Sequence, residues 1–319
     1  MNGAPQDQSA SAVFQGERAL QYVAVQMEFG PRPTGSEALR QSGDYILQEL
    51  ERLGWRTSQH AFQLENADPP VPVRNLVAEL GEGPDPAILL AAHYDTRLLA
   101  DEDPDPHLRN QPVPGANDGG SGVGVLLELA RVLGQHHRLY RPLRLVFFDA
   151  EDNGRLQPFS GHGDPRYNGW ILGSQRYAAD ADLSQIELMI LVDLVGDLNQ
   201  SLPRERFSQD GAPQLAREVW DLALEMGYGR QFVRFIRTGI IDDHLPFLDR
   251  GIPAVDIIDL DYPHWHTTGD TLDKVSAESL QRVGRLLQEF LIRRGAVDRA
   301  PLIRDRPLRA SPPRRKPRN

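Results

Sequence analysis

Residues 87–95 read Ala-Ile-Leu-Leu-Ala-Ala-His-Tyr-Asp. The apolar run from Ala87 to Ala92 has the length of a strand and lacks the polar alternation of a half-exposed one. A strand covered on both faces belongs to a parallel sheet lying between helices. Four further runs have the same character: Asn75 to Leu80, Leu143 to Phe148, Leu188 to Val192 and Ala254 to Ile258. Helical patterns separate most of them, at Val123 to Leu133, Pro213 to Met226 and Ala277 to Arg294. The last carries an apolar stripe of Leu280, Val283, Leu286, Leu287, Phe290 and Leu291. Two more helices are expected before the first strand, from Gly16 to Phe29 and from Ser36 to Leu53, the second stopped by Gly54. Strands alternating with helices predict an α/β fold, a three-layer α/β/α sandwich with a mixed, mostly parallel central sheet.

The chain has 319 residues, 40% of them hydrophobic, enough for one large core. We expect a single domain over 15–296, a flexible arm over 1–14 and a disordered Arg/Pro-rich tail over 297–319. The segment from Pro301 to Asn319 holds seven Arg or Lys against one Asp, a local +6, so residues 1–300 carry −16 of the total −10. An acidic body of this kind argues against a general nucleic-acid binder. No run approaches the ~18 apolar residues of a membrane span. The start, Met1 to Ala12, lacks the apolar core of a leader, so a cytoplasmic location is expected for the chain as given, with a secreted or periplasmic one as the alternative after leader removal. The absence of Cys excludes disulfides, cysteine nucleophiles and thiolate zinc sites together.

Candidate chemistry gathers at strand ends. His93 follows the first strand quoted, with Asp95 two residues on as a carboxylate able to hold the second imidazole nitrogen. Gly115-Ala-Asn-Asp118-Gly-Gly-Ser-Gly122 leads into the helix from Val123. Taken alone it is an ordinary turn with a helix cap, but its glycines would also admit an ion close to the backbone. Glu151 and Asp152 follow the strand ending at Phe148, and Asp193 ends the run Leu188 to Val192. A carboxylate there costs several kcal/mol unless it is paired or coordinated. His264 and His266 follow the last strand. A parallel sheet brings all of these to its carboxyl edge, where open α/β sheets place their sites. The N and O ligands of His93, Asp118, Asp152, Asp193 and His266 suit zinc, and a bridging carboxylate would let them hold two ions. Long polar connections, Arg97 to Gly115 and Asn153 to Trp170, flank this chemistry.

The ordered motifs His93-Tyr-Asp95, Gly115-Ala-Asn-Asp118, Phe148-Asp-Ala-Glu151-Asp152, Leu191-Val-Asp193 and His266-Thr-Thr-Gly-Asp270 resemble those of metallopeptidase family 28. This family comprises zinc aminopeptidases and also the animal-type glutaminyl cyclases. The resemblance runs from about Gly30 to Gly295 and implies a zinc aminopeptidase-like fold. In the aminopeptidases it implies two zincs bridged by Asp118, one completed by Asp152 and His266, the other by His93 and Asp193, with Glu151 as general acid/base. In the cyclases it implies one zinc on Asp118, Asp152 and His266, with Glu151 moving the proton. One departure stands out: Asp152 replaces a frequent Glu, so this ligand is one methylene shorter.

Two features resemble the cyclase branch. In Ile241-Asp242-Asp243-His244 an acidic residue precedes the Asp-His common to the wider family, and Asp242 would hydrogen-bond within the active site. A helix cap is the competing explanation for Asp242 or Asp243. Trp265 directly precedes the metal histidine and would wall the pocket for a glutaminyl side chain, a buried core Trp being the alternative. The resemblance thus implies a zinc-dependent glutaminyl-peptide cyclotransferase acting on peptide or protein N-termini. The substrate's α-amine would attack its γ-carboxamide and expel ammonia, with Asp193 and Asp242 raising the pKa of Glu151. The runner-up is a two-zinc aminopeptidase that uses water as the nucleophile, and the remote alternative is a metal-free binding module of this fold.

Overall fold

The computed structural model describes residues 13–65 and 67–299. In chain order its elements are α1 (Gly16–Glu28), α2 (Glu37–Arg52), β1 (Arg56–Leu64), β2 (Val71–Leu80), β3 (Ala87–His93), α3 (Gly120–His136), β4 (Leu143–Phe148) and α4 (Leu172–Asp180). They continue with β5 (Ile186–Asp193), β6 (Leu202–Arg204), α5 (Arg206–Gly211), α6 (Pro213–Glu225), β7 (Phe232–Ile236), α7 (Leu245–Leu248), β8 (Ala254–Ile258) and α8 (Ala277–Arg293).

Six strands form one sheet in the order β1-β2-β4-β3-β5-β8. The β1/β2 and β2/β4 pairs are antiparallel, and β4, β3, β5 and β8 run parallel. This is the expected mixed, mostly parallel sheet. Every residue of β3 is buried, as its unbroken apolar run requires. Its side chains divide by period two. Ile88, Leu90 and Ala92 join a core with α1, α2, α3, α6 and α8, whereas Leu89 and Ala91 face α4 and α7. Those two cores are the filling of the sandwich.

Ser36 caps α2 by accepting the amide of Leu39 at 3.1 Å, and Gly54, at φ +90, ends it as expected. Phe14 and Val297 are buried, and Val297 bridges to Leu139. Of the expected terminal segments, residues 1–12 and 300–319 lie outside the described residues. No helix among the described residues is long and apolar enough to cross a membrane.

The register fixes the site. His93 pairs with Phe148 and Asp193 with Ile258, each at the carboxyl end of its strand. The turns leaving β3, β4, β5 and β8 therefore open on one edge of the sheet.

Candidate metal centre

His93 is the last residue of β3. Its Nε2 lies 3.0 Å from Asp193 Oδ1 and 3.2 Å from Asp118 Oδ1. His266, on the loop after β8, places Nε2 2.8 Å from Asp152 Oδ1 and 3.7 Å from Asp118 Oδ2. Two ligand sets result, His93/Asp118/Asp193 and Asp118/Asp152/His266, each with its ligand atoms within 4.8 Å of one another. Asp118 belongs to both. All five side chains are buried, and among the described residues Asp118 Oδ2 and Asp152 Oδ2 have no hydrogen-bond partner. Buried carboxylate oxygens without donors are costly, and carboxylates and imidazoles converging in this way are hard-to-borderline ligands that fit a divalent cation. Asp152, one methylene shorter than the frequent Glu, sets its Oδ1 2.8 Å from His266 Nε2.

The turns carrying these groups are held by two further carboxylates. Asp95 accepts the amides of Glu151 and Asp152, both at 3.2 Å, and the Asn153 side-chain amide at 3.1 Å. Its Oδ1 is 3.6 Å from His93 Nδ1. At that distance the expected hydrogen bond to the imidazole is not made, and His93 Nδ1 has no hydrogen-bond partner among the described residues; the hydrogen bonds of Asp95 fix the Glu151 turn instead. Asp270 accepts the amides of Asn117 at 2.9 Å and Asp118 at 3.1 Å, and the Tyr262 hydroxyl at 2.7 Å. Gly119, at φ +76, closes the Asp118 turn against the sheet; a Cβ there would sit 2.5 Å from the Asp95 carbonyl oxygen. Three non-glycine residues at the site are left-handed, Ala150 before Glu151, Leu194 after Asp193, and His266 itself. Such conformations cost about 1–3 kcal/mol each and collect at functional sites.

Glu151 is 7% exposed, with Oε2 3.9 Å from His93 Nδ1. Burial pushes its carboxyl well above the usual range; Asp152, Asp242 and Asp243 add to this and His93 opposes it. Of the two carboxylates expected to raise it, Asp242 contributes, whereas the other leading like charges are Asp152 and Asp243 and not Asp193. Burial, then Asp193, raises Asp242 to about 7. Burial, then Asp118, raises Asp152 to about 6. At Asp118 burial also raises the carboxyl, but His93 and His266 outweigh it and the net direction is down.

Asp242 is buried and caps no helix, since α7 has no side-chain cap; its Oδ1 accepts the Asp243 amide at 2.6 Å, and its Oδ2 has no hydrogen-bond partner among the described residues. Trp265 is 43% exposed, which removes the core reading, and it stacks on His266 with centroids 3.7 Å apart. Trp170 lies nearly parallel to His266 at 5.9 Å. His264 stands outside both ligand sets. Sequence reasoning gave no role to Trp170, Asp270, Arg97 or Asp101. The available signals were a Trp closing a long polar loop and an Asp four residues after His266.

The family model described as Peptidase family M28 matches residues 75–291. The crystal structure of Porphyromonas gingivalis glutaminyl cyclase is similar at 34% identity and TM-score 0.81, over 88% of this chain and 99% of that one. A Zn-dependent exopeptidase from Parabacteroides distasonis is similar at 34% identity and TM-score 0.80, over 87% and 97%. The glutaminyl-peptide cyclotransferase of Gloydius blomhoffii is 26% identical over 294 residues, 84% of this chain and 78% of that one.

Proposed function

The chain belongs to peptidase family M28, and from that premise we propose that it is a zinc-dependent glutaminyl-peptide cyclotransferase. It converts the N-terminal glutamine of peptides or proteins to pyroglutamate and releases ammonia. Asp118, Asp152 and His266 would hold the zinc. When bound there, the ion supplies a positive charge that draws electrons from the γ-carboxamide oxygen.

The remaining work falls to the chain's own residues. The substrate's α-amine forms a bond to the γ-carboxamide carbon, and the bond from that carbon to the amide nitrogen breaks. Glu151 takes a proton from the attacking amine and gives it to the departing nitrogen, so lactam and ammonia leave and the carboxylate returns to its starting state. A shuttle of this kind works best when its pKa lies near the operating pH, and burial with neighbouring carboxylates moves Glu151 in that direction. Trp265, exposed beside His266, offers an apolar wall to the glutaminyl side chain.

The observation that carries the choice of branch is Asp242, a buried carboxylate beside the site that lies against Asp256, caps no helix and leaves its Oδ2 without a hydrogen-bond partner among the described residues. Such a group suits an acceptor for a substrate amine or amide. Incubation with a Gln-initiated peptide and mass spectrometry tests the proposal. Loss of ammonia from the intact peptide supports it, and release of the first residue as a free amino acid refutes it. The second ligand set, His93/Asp118/Asp193, is the specific observation favouring the two-zinc aminopeptidase.

A further inference from the structure

Arg97 lies four residues after His93 on the long loop leaving β3, and it is 2% exposed. Each guanidinium nitrogen has a partner. Nε and Nη2 donate to the two oxygens of Asp101 at 2.7 and 2.6 Å. Nη1 donates to the backbone carbonyl of Asp152 at 2.8 Å and approaches that of Gly154 at 3.4 Å. The guanidinium carbon also sits 4.7 Å from the centre of the Trp170 ring.

The Asp101 carboxylate gripped in this way faces His266. Its Oδ1 lies 3.7 Å from His266 Nδ1, on the side of the ring opposite the contact between Nε2 and Asp152. An imidazole that gives Nε2 to a metal carries its proton on Nδ1, and an outer carboxylate normally receives that proton, setting the tautomer and the ring direction. A two-point hold on Asp101 fixes the plane of that carboxylate, which a single ammonium contact does not.

We infer that Arg97 is a positioning residue for the metal centre, aiming Asp101 at His266 Nδ1 while its third arm fixes the backbone of Asp152. This rests on the reading that Asp118, Asp152 and His266 hold zinc. One buried cation thereby ties together the outer contacts of two ligands contributed by different loops, with Trp170 stacked on its face.

The test measures zinc affinity and needs no substrate. Wild type, Asp101→Asn, Arg97→Lys and the double variant are titrated with zinc against a chromophoric chelator, and the melting temperature of each zinc-stripped protein reports folding. Asp101→Asn and Arg97→Lys should each weaken zinc by roughly 10–100-fold, the range for an outer contact of a metal ligand. The stripped Asp101→Asn protein should fold but melt below wild type, because buried Arg97 loses the charge it faces; its zinc affinity is read on the folded protein. The double variant should bind zinc within about threefold of the weaker single variant, since Arg97 acts largely through Asp101. Wild-type zinc affinity in Asp101→Asn, or losses that multiply in the double variant, would overturn the inference and leave the proposed activity standing. Arg97→Lys failing to fold leaves Asp101→Asn to decide. A wild-type protein that binds no zinc would overturn both.

Discussion

Glu151→Gln exchanges one carboxylate oxygen for an amide nitrogen in a side chain 7% exposed, so shape and packing are kept. Its Oε2 lies 3.9 Å from His93 Nδ1, too far for a hydrogen bond. The exchange therefore breaks no hydrogen bond to the candidate ligands and removes the site proposed to accept and return the proton. Positioned proton transfer contributes about 10²–10⁴ in rate, or about 2.7–5.5 kcal/mol at about 1.36 kcal/mol per tenfold. We expect kcat and kcat/KM for a Gln-initiated peptide to fall together by that factor, because the interaction is made in the transition state. Zinc content by elemental analysis should stay at the wild-type value. Removing the carboxyl also removes its share of the like-charge repulsion with Asp152, Asp242 and Asp243. The zinc-stripped variant should accordingly lose less stability than wild type as pH rises above the carboxylate range. Turnover within about threefold of wild type in a zinc-loaded variant would refute Glu151 as the proton carrier.

Asp118→Asn weakens both ligand sets through their shared member, so zinc content after dialysis should drop toward zero; retention at the wild-type level would count against the shared ligand. Gly119→Ala places a side chain at φ +76 and 2.5 Å from the Asp95 carbonyl, and should cost at least about 1–2 kcal/mol from backbone conformation alone, read as a lower melting temperature together with weaker zinc binding. Raised carboxyl pKa values, about 6 for Asp152, 7 for Asp242 and Asp270 and 8 for Asp149, mean that the folded form holds protons which the unfolded chain has released. That stabilisation is complete below the unfolded value of about 4 and fades as pH rises through about 6 to 8, so the zinc-stripped protein should melt lower at pH 8 than at pH 5, and a rise would contradict the assignment. Trp265→Ala should raise KM for a Gln-initiated peptide by roughly 2–10-fold, the scale of an aromatic contact, with little change in melting temperature because the ring is 43% exposed.

The sheet was legible where burial left its mark on composition. The limits read for β4 and β8 coincide with the structure, and β3 and β5 extend by one to three residues. β1 went unread because Arg-Thr-Ser-Gln-His-Ala-Phe-Gln-Leu lies on the sheet edge, mostly exposed, and has no need of an apolar run. The helix α4 went unread because its buried positions include Gly173 and Ser174, too small to form an apolar stripe. At the site, the five candidate ligand positions could be read because each follows or ends an apolar strand or sits in a glycine-rich turn before a helix. Arg97, Asp101 and Trp170 reach the site from long loops without periodicity, where only tertiary structure decides what meets. The Asp95 hydrogen bonds to the Glu151 turn were hidden for the same reason.

The arrangement of adjacent Glu151 and Asp152 explains why the site needs both Asp95 and a strained turn. Two neighbouring carboxylates on an ordinary turn would repel and move to solvent. Here Ala150 is held left-handed at φ +56, and both following amides are taken by the one carboxylate of Asp95. The backbone is pinned at two successive residues, so the side chains must diverge. Asp152 goes toward His266, and Glu151 comes near His93 and the charge of Asp242. Asp270 repeats the device at the next turn, taking the amides of Asn117 and Asp118. Two buried carboxylates thus act as anchors for the turns that present the other carboxylates. Strain and like-charge repulsion are borne by the fold, so two carboxylates a single peptide bond apart face different partners, the separation that the proposed ligand and proton carrier require.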